Sequence, residues 1–409
     1  MTTETTLSSQ TPPRPSRRPL VFDILLLLVL LLGAYFRMVG IYWGEYQYLH
    51  PDERFLVWVG TDITPLKCLD ETLAVEVCPP DQKTWMGFKE YFDTARSTLN
   101  PHNRNHGFYV YGTLPMFLTR YLVEMVFGHS GFQEMTQIGR PLSAMADILL
   151  VLLVFLAAER LYDRRVATLA AAFSAFTVLQ IQQSHFFTTD TFITFFTFLA
   201  IYFAVRIATD TRSWRAENPS MAEESGDVLG LVTTPRTTAN PQRLALYVAR
   251  FFTHPLLLPS IGFGIALGCA VASKLSAAPV AFMLPFAVLL RIFKMPPRER
   301  ERRLLEAFIF MALAAVLSIL VFRLFQPYAF SGPGFFGFKP NPSWVANIRE
   351  QRAQAAGDMD LPFALQWARR PVWFSFQHMV LWGMGLPLGI LSWAGFLWAG
   401  WRILKGEWQ

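Results

Sequence analysis

Residues 108–127, FYVYGTLPMFLTRYLVEMVF, are the stretch whose reading decides the fold. The run is apolar and long enough to cross a hydrocarbon layer of ~30 Å, yet Pro115, Arg120 and Glu124 interrupt it. The charges that follow it choose between crossing and lying flat. If 108–127 crossed, the turn Leu161-Tyr162-Asp163-Arg164-Arg165 would lie outside the cytosol and every later basic cluster would invert with it. If it lies on the outer leaflet, the basic clusters all fall inside: Arg160, Arg164 and Arg165; Arg206, Arg212 and Arg215; Arg243 and Arg250; the run 291–303; and Arg402 with Lys405. The stretch is therefore read as an interfacial or re-entrant helix.

Working outward, the rest of the chain is membrane scaffold. Of 409 residues, 53% are hydrophobic and 15% aromatic, too apolar for one soluble core, and they gather in runs of spanning length. Lys and Arg exceed Asp and Glu by 36 to 30, but they cluster at the ends of those runs, which is a topology signal and no nucleic-acid footprint. The expected fold is an all-α polytopic membrane protein with about eight transmembrane helices. Their expected positions are 20–38, 139–158, 166–182, 191–208, 255–272, 276–293, 304–322 and 383–401, with both ends cytosolic.

This divides the chain into six parts. Residues 1–19, polar and basic at Arg14, Arg17 and Arg18, form a disordered cytosolic tail leading into an uncleaved first span. Residues 20–208 form an N-terminal transmembrane module with a large first extracytoplasmic loop, 39–138, carrying interfacial helices. Residues 209–249 are a cytosolic loop, 250–323 a hairpin and a seventh span, 324–382 a second extracytoplasmic segment, and 383–409 the last span and cytosolic end. The second segment joins a Gly/Pro turn to an amphipathic stretch at 343–356 and is expected to close as a lid; Trp367, Trp373 and Trp382 suit an aromatic belt. The expected location is the plasma membrane. The chain stops at Trp408-Gln409, just past the last expected span, and reads as either an N-terminal piece of a longer protein or a short variant.

On the outer face this topology gathers Asp52, Glu53, His102, His106, Arg140, His185, Asp190 and Lys274. Carboxylates beside fixed cations at a membrane surface suit an anionic lipid headgroup and an acceptor to be deprotonated. Each residue also has a plainer reading. Asp52 and Glu53 follow Pro51 and favour the positive end of a helix dipole, and Asp190 can cap the helix that follows it. Lys274 and Arg140 can snorkel from helix ends. His102 and His106, four apart, could share a helix face for a metal, or lie in a polar loop, as their Pro101 and Gly107 flanks favour. His185 reads as an interfacial hydrogen-bonding residue. Cys68 and Cys78 share the first polar loop and pair as a disulfide or stay as two thiols.

The order of the motifs resembles the C-type membrane glycosyltransferases (GT-C fold), in particular relatives of the protein O-mannosyltransferases and of the aminoarabinose transferase that modifies lipid A. The matching pieces are Asp52-Glu53, Gly112-Thr113-Leu114-Pro115, Arg140-Pro141-Leu142-Ser143-Ala144, Leu161-Tyr162-Asp163-Arg164-Arg165, Ser184-His185-Phe186-Phe187-Thr188-Thr189-Asp190 and Ala272-Ser273-Lys274-Leu275-Ser276. The run His50-Pro51-Asp52-Glu53-Arg54-Phe55 departs from the mannosyltransferase form, so neither sugar nor acceptor carries over.

The resemblance implies an inverting transfer of a sugar from a polyprenyl-phosphate carrier to a protein, lipid or glycan acceptor at the outer membrane face. On that template Asp52 is the general base, Glu53 orients Asp52 or the acceptor, and Asp190, Lys274, Arg140 and His185 belong to the donor side. No cofactor is required; a divalent metal is possible but without support. The alternatives are a flippase or transporter of lipid-linked sugars, and a non-catalytic partner subunit. A flippase predicts essential charges deep within the spans, where this chain carries few.

Overall fold

The computed structural model describes residues 20–45, 47–70, 73–210, 249, 251–295, 297–366 and 368–406. The expected tail at 1–19 and nearly all of the expected cytosolic loop, together with Trp367 and the last three residues, lie outside the described residues. Described strand is limited to a two-stranded hairpin, and the rest of the regular structure is helical.

Five helices are long and apolar enough to cross a membrane: Leu20–Met38, Phe132–Leu161, Thr189–Thr209, Leu275–Phe293 and Arg303–Phe325. A sixth is made by Arg164–Ala175 and Val178–Ser184 if that pair, bent by 57°, is one broken span. These make the chain a multi-pass membrane protein, with five or six candidate spans where the sequence predicts about eight. The other two predicted spans are helices that fall short for different reasons. Leu257–Ser273 has 17 residues, roughly 26 Å of rise. Leu386–Leu404 is diluted by Trp393, Trp398, Trp401 and Arg402.

The short Leu257–Ser273 helix is the hub of the bundle. It packs on Thr189–Thr209 and Pro297–Phe325, and most of its side chains are buried. Gly264 and Gly268, one turn apart, lie against the backbone of Ala314 and Ser318, so the two helices meet through a small-residue seam. This hub ends at Ser273, because Lys274 takes up an extended conformation (φ −160°, ψ 128°).

The break in the 164–184 pair has no Pro or Gly at its joint, and its cause is remote. Arg37, with no exposed surface, donates from Nη1 to the carbonyls of Gly33 (3.0 Å) and Ala175 (2.8 Å) and from Nε to Asp147 (2.6 Å). Ala175 is the last residue of the first helical piece, so a guanidinium supplies the donor its orphaned carbonyl lacks, and Asp147 neutralises the charge. The second piece then turns away and delivers His185, Phe186 and Phe187 to the loop end of the bundle.

At that end the Pro51–Asp62 helix, the hairpin Leu66–Cys68/Lys83–Trp85 and the Thr113–Phe127 helix enclose a small core. Val59, Ile63, Leu99, Tyr109, Met116, Phe117 and Tyr328 are buried together there. Cys68 and Cys78 are joined by a disulfide that closes the hairpin loop. The Thr113–Phe127 helix has 15 residues, is not among the candidate spans, and pairs Arg120 with Glu124 at 2.7 Å within itself. One face is buried, while Leu118, Met125 and Val126 are exposed, which is the division an interfacial helix needs.

The segment after Phe325 is already packed on this loop. Arg323 donates to the carbonyls of Phe335 and Gly334 and lies over the rings of Phe92 and Phe330. The Pro342–Ala356 helix, capped by Asn341, sends buried Asn347 to Gly107 O (3.0 Å) and to the Tyr109 N–H (3.2 Å).

Candidate active site

Asp52 and Glu53 occupy the first turn of the Pro51–Asp62 helix, where Pro51 fixes φ and the missing N–H costs nothing. Successive helical residues point about 100° apart, so the two carboxylates part company. Glu53 turns inward and has no exposed surface. It accepts a two-pronged pair from Arg140, Nε to Oε1 at 2.7 Å and Nη2 to Oε2 at 2.8 Å, and the Phe187 N–H adds a third bond at 2.8 Å. The remaining Nη1 of Arg140 donates to the carbonyls of Ile41 (2.9 Å) and Trp43 (3.1 Å).

This arrangement is a buried knot joining four parts of the chain: the end of the first span, the 51–62 helix, the 132–161 helix and the Phe187 loop. Its geometry is that of a fully satisfied buried ion pair. Glu53 and Arg140 are thus brought together, but with their bonding capacity directed at each other and at the backbone.

Asp52 is half-buried, and its Oδ1 accepts from the Tyr111 hydroxyl at 3.0 Å. Burial pushes the Tyr111 phenol well above its ordinary range, and the charge of Asp52, the bond to it and the charge of Asp190 push the same way. Tyr111 therefore stands, protonated, between two carboxylates. The next residue sets its position: Gly112 N–H donates to Ser273 O at 3.1 Å, and a Cβ at 112 would overlap the Ala272 carbonyl and the Ser273 backbone. Since φ of Gly112 is −68°, the glycine is needed for this close approach alone.

Lys274 follows Ser273 directly, so this contact ties its stretch of backbone to the one that follows Tyr111. Lys274 Nζ meets Asp190 Oδ1 at 2.8 Å, with side-chain exposures of 33% and 39%. Thr188 is the residue whose side chain caps the Thr189–Thr209 helix, accepting from the Asp190 N–H at 3.4 Å, so the Asp190 carboxylate is released from capping. Asp52, Tyr111, Asp190 and Lys274 form one partly open polar cluster drawn from four separate segments.

The other candidates lie elsewhere. His185 has Nδ1 at 2.7 Å from Ile181 O and Nε2 at 3.0 Å from Val39 O, and it lines a groove of about 660 Å³ with Gly40, Trp43 and Gln182. His102 contacts Asn347 Oδ1 at 2.8 Å, and His106 contacts Asp62 Oδ2 at 2.9 Å. The two histidines are thus engaged with different partners, and among the described residues no group of three His, Cys, Asp or Glu is placed to hold a metal. Tyr111 is the cluster residue that sequence reasoning passed over; it directly precedes the quoted Gly112-Thr113-Leu114-Pro115 motif, but in an aromatic run nothing singles it out.

Comparison with known proteins adds a second line. No curated protein matches the chain. Among solved structures it is similar to the oligosaccharyltransferase of Archaeoglobus fulgidus in complex with zinc and sulfate, at 15% identity and a TM-score of 0.44 over 93% of this chain and 40% of that one. It is also similar to the archaeal oligosaccharyltransferase AglB from Archaeoglobus fulgidus in complex with an inhibitory peptide and a dolichol-phosphate. There the identity is 15% and the TM-score 0.45, over 94% of this chain and 37% of that one. The chain spans about two fifths of the length of these structures. Residues 116–217, about a quarter of the chain and including Arg140 and Asp190, match the dolichyl-phosphate-mannose-protein mannosyltransferase family.

Proposed function

We propose that this chain carries the active site of an inverting membrane glycosyltransferase, which takes a sugar from a polyprenyl-phosphate carrier and delivers it to an acceptor at the extracytoplasmic face. The observation that carries the reading is a half-buried, oriented carboxylate, Asp52, together with a partly exposed Lys274–Asp190 ion pair whose carboxylate acts on the same Tyr111 phenol that Asp52 holds. The family match over 116–217 supports the same chemistry. In this reading the protein lies in the plasma membrane with this site outside, and the clustering of basic residues supports the orientation with a cytosolic N-terminus.

In the reaction, the acceptor oxygen or nitrogen attacks the anomeric carbon from the side opposite the phosphate. Asp52 takes the acceptor proton as the new bond forms, and the bond from carbon to phosphate oxygen breaks with its electron pair on the phosphate. Lys274 sits where that charge grows. An ammonium has three donors and Asp190 takes one, so Asp190 aims the head group while leaving donors for phosphate oxygens. Glu53 and Arg140 hold the frame beneath Asp52, and His185 braces the loop end of the first span.

A transporter reading would draw on charges within the spans. Here the Arg37–Asp147 pair is consumed by the helix break it stabilises. The test is sugar transfer in membranes from polyprenyl-phosphate sugars, with Lys274→Met as the variant. Loss of donor binding together with transfer supports the assignment; unchanged binding and transfer refute it.

A further inference from the structure

We propose that Tyr111 is a positioning residue for Asp52: its hydroxyl pins Oδ1 of the carboxylate and leaves Oδ2 to receive the acceptor proton. This rests on the reading of Asp52 as the general base and adds the device that aims it.

The backbone that carries Tyr111 is fixed at both ends. Upstream, the Tyr109 N–H donates to Asn347 Oδ1 at 3.2 Å and the Tyr109 hydroxyl donates back to Gly112 O at 3.3 Å. Downstream, Gly112 is bonded to Ser273 O, and the Thr113 N–H donates to Gln326 Oε1 at 2.6 Å. The ring is held as well, 5.6 Å from Phe55 on the same helix as Asp52 and 6.3 Å from Tyr109. With backbone and ring both immobilised, the hydroxyl has little freedom other than rotation of its proton, and it directs that proton to Asp52 Oδ1. A donor held this way costs no reorganisation when the base acts.

The chemistry requires a phenol in this place. A bond donated to one carboxylate oxygen fixes the orientation of the carboxylate and leaves its other oxygen open. The charged groups that act on this phenol are Asp52 and, from another segment, Asp190, which Lys274 meets at 2.8 Å; Glu53, next to Asp52 in the chain, is met by Arg140.

Tyr111→Phe keeps the ring packing and deletes the donor alone. The measurement is the carboxyl 13C resonance of Asp52 in the full-length protein labelled with 13C-aspartate, identified by its loss in Asp52→Asn. Loss of the phenol bond in Tyr111→Phe is expected to move that resonance, and replacing residue 111 by 3-fluorotyrosine, a stronger donor, is expected to move it the opposite way. In the transfer assay Tyr111→Phe is expected to lower kcat while the KM for donor holds. A resonance that stays where it is in both variants overturns the proposal. The resonance decides the role of Tyr111 whether or not sugar is transferred; absence of transfer by the unaltered chain would count against the proposed function instead.

Discussion

Replacing Gly112 by alanine should damage this protein out of proportion to one methyl group. The backbone conformation there suits any residue, so intrinsic preference would make the change stabilising by about 0.4–1 kcal/mol. Against that, the new Cβ overlaps the carbonyl of Ala272 and the backbone of Ser273, neither of which can swing aside as a side chain would. Restoring ordinary contact needs the two segments to part by roughly 1 Å. Overpacking of that kind costs about 1–3 kcal/mol. The separation also stretches the Gly112–Ser273 bond from 3.1 Å beyond useful length, stranding a buried donor at a further cost of about 1–3 kcal/mol. The net loss is about 1–5 kcal/mol, and because Lys274 follows Ser273 the same shift displaces the cation. A displacement of ~1 Å in a reacting constellation costs about a hundredfold in rate. The assay is transfer activity and thermal unfolding in detergent, beside Gly107→Ala, where a Cβ meets nothing within 4 Å. If Gly112→Ala cannot be told from Gly107→Ala, the strut between the two halves of the site does not exist.

Three further expectations follow from the same contacts. Glu53→Gln should lower stability by about 3–5 kcal/mol, because Arg140 is left charged and unpaired with no exposed path to water, and a thermal midpoint equal to the parent's would remove the knot from the account. At the helix break, Arg37→Leu should be strongly destabilising, and the double variant with Asp147→Leu should recover only in part, since the Ala175 carbonyl still lacks its donor; full recovery would mean that the ion pair, and not the capping, is what matters. Burial holds the phenols of Tyr91, Tyr109, Tyr111 and Tyr328 well above the ordinary value of 10.0. The unfolded chain therefore releases protons that the folded chain keeps once pH exceeds about 10, and stability should fall as pH rises through that point. Tyrosinate absorbance that grows in fully before any unfolding would contradict this.

Much of this architecture is legible in the sequence where the signal is local. The first span begins and ends at Leu20 and Met38 as its apolar run does, and the Pro115, Arg120 and Glu124 interruptions mark a helix that does not count as a span. Asp190 and Lys274 are readable as outer-face candidates because each stands at the end of an apolar run. What remains hidden is pairing across distance. Nothing near Glu53 announces that Arg140, 87 positions later, will bond to it, so an adjacent acidic pair reads as two like groups while the structure gives them different partners. The joint at Phe176–Thr177 likewise carries no breaker, because its stabilising donor comes from Arg37 on another helix. Tyr111 is invisible for a third reason: in a run of aromatic residues a hydroxyl is distinguished only by the acceptor it meets.

The most direct test of the account is sugar transfer in membranes from radiolabelled polyprenyl-phosphate sugars, comparing the unaltered chain with Asp52→Asn and measuring donor binding in both. The account predicts transfer by the unaltered chain, and its collapse in Asp52→Asn with the donor still bound. Transfer that persists in Asp52→Asn, or lipid-linked sugar moved across the bilayer without any bond being made, would contradict it.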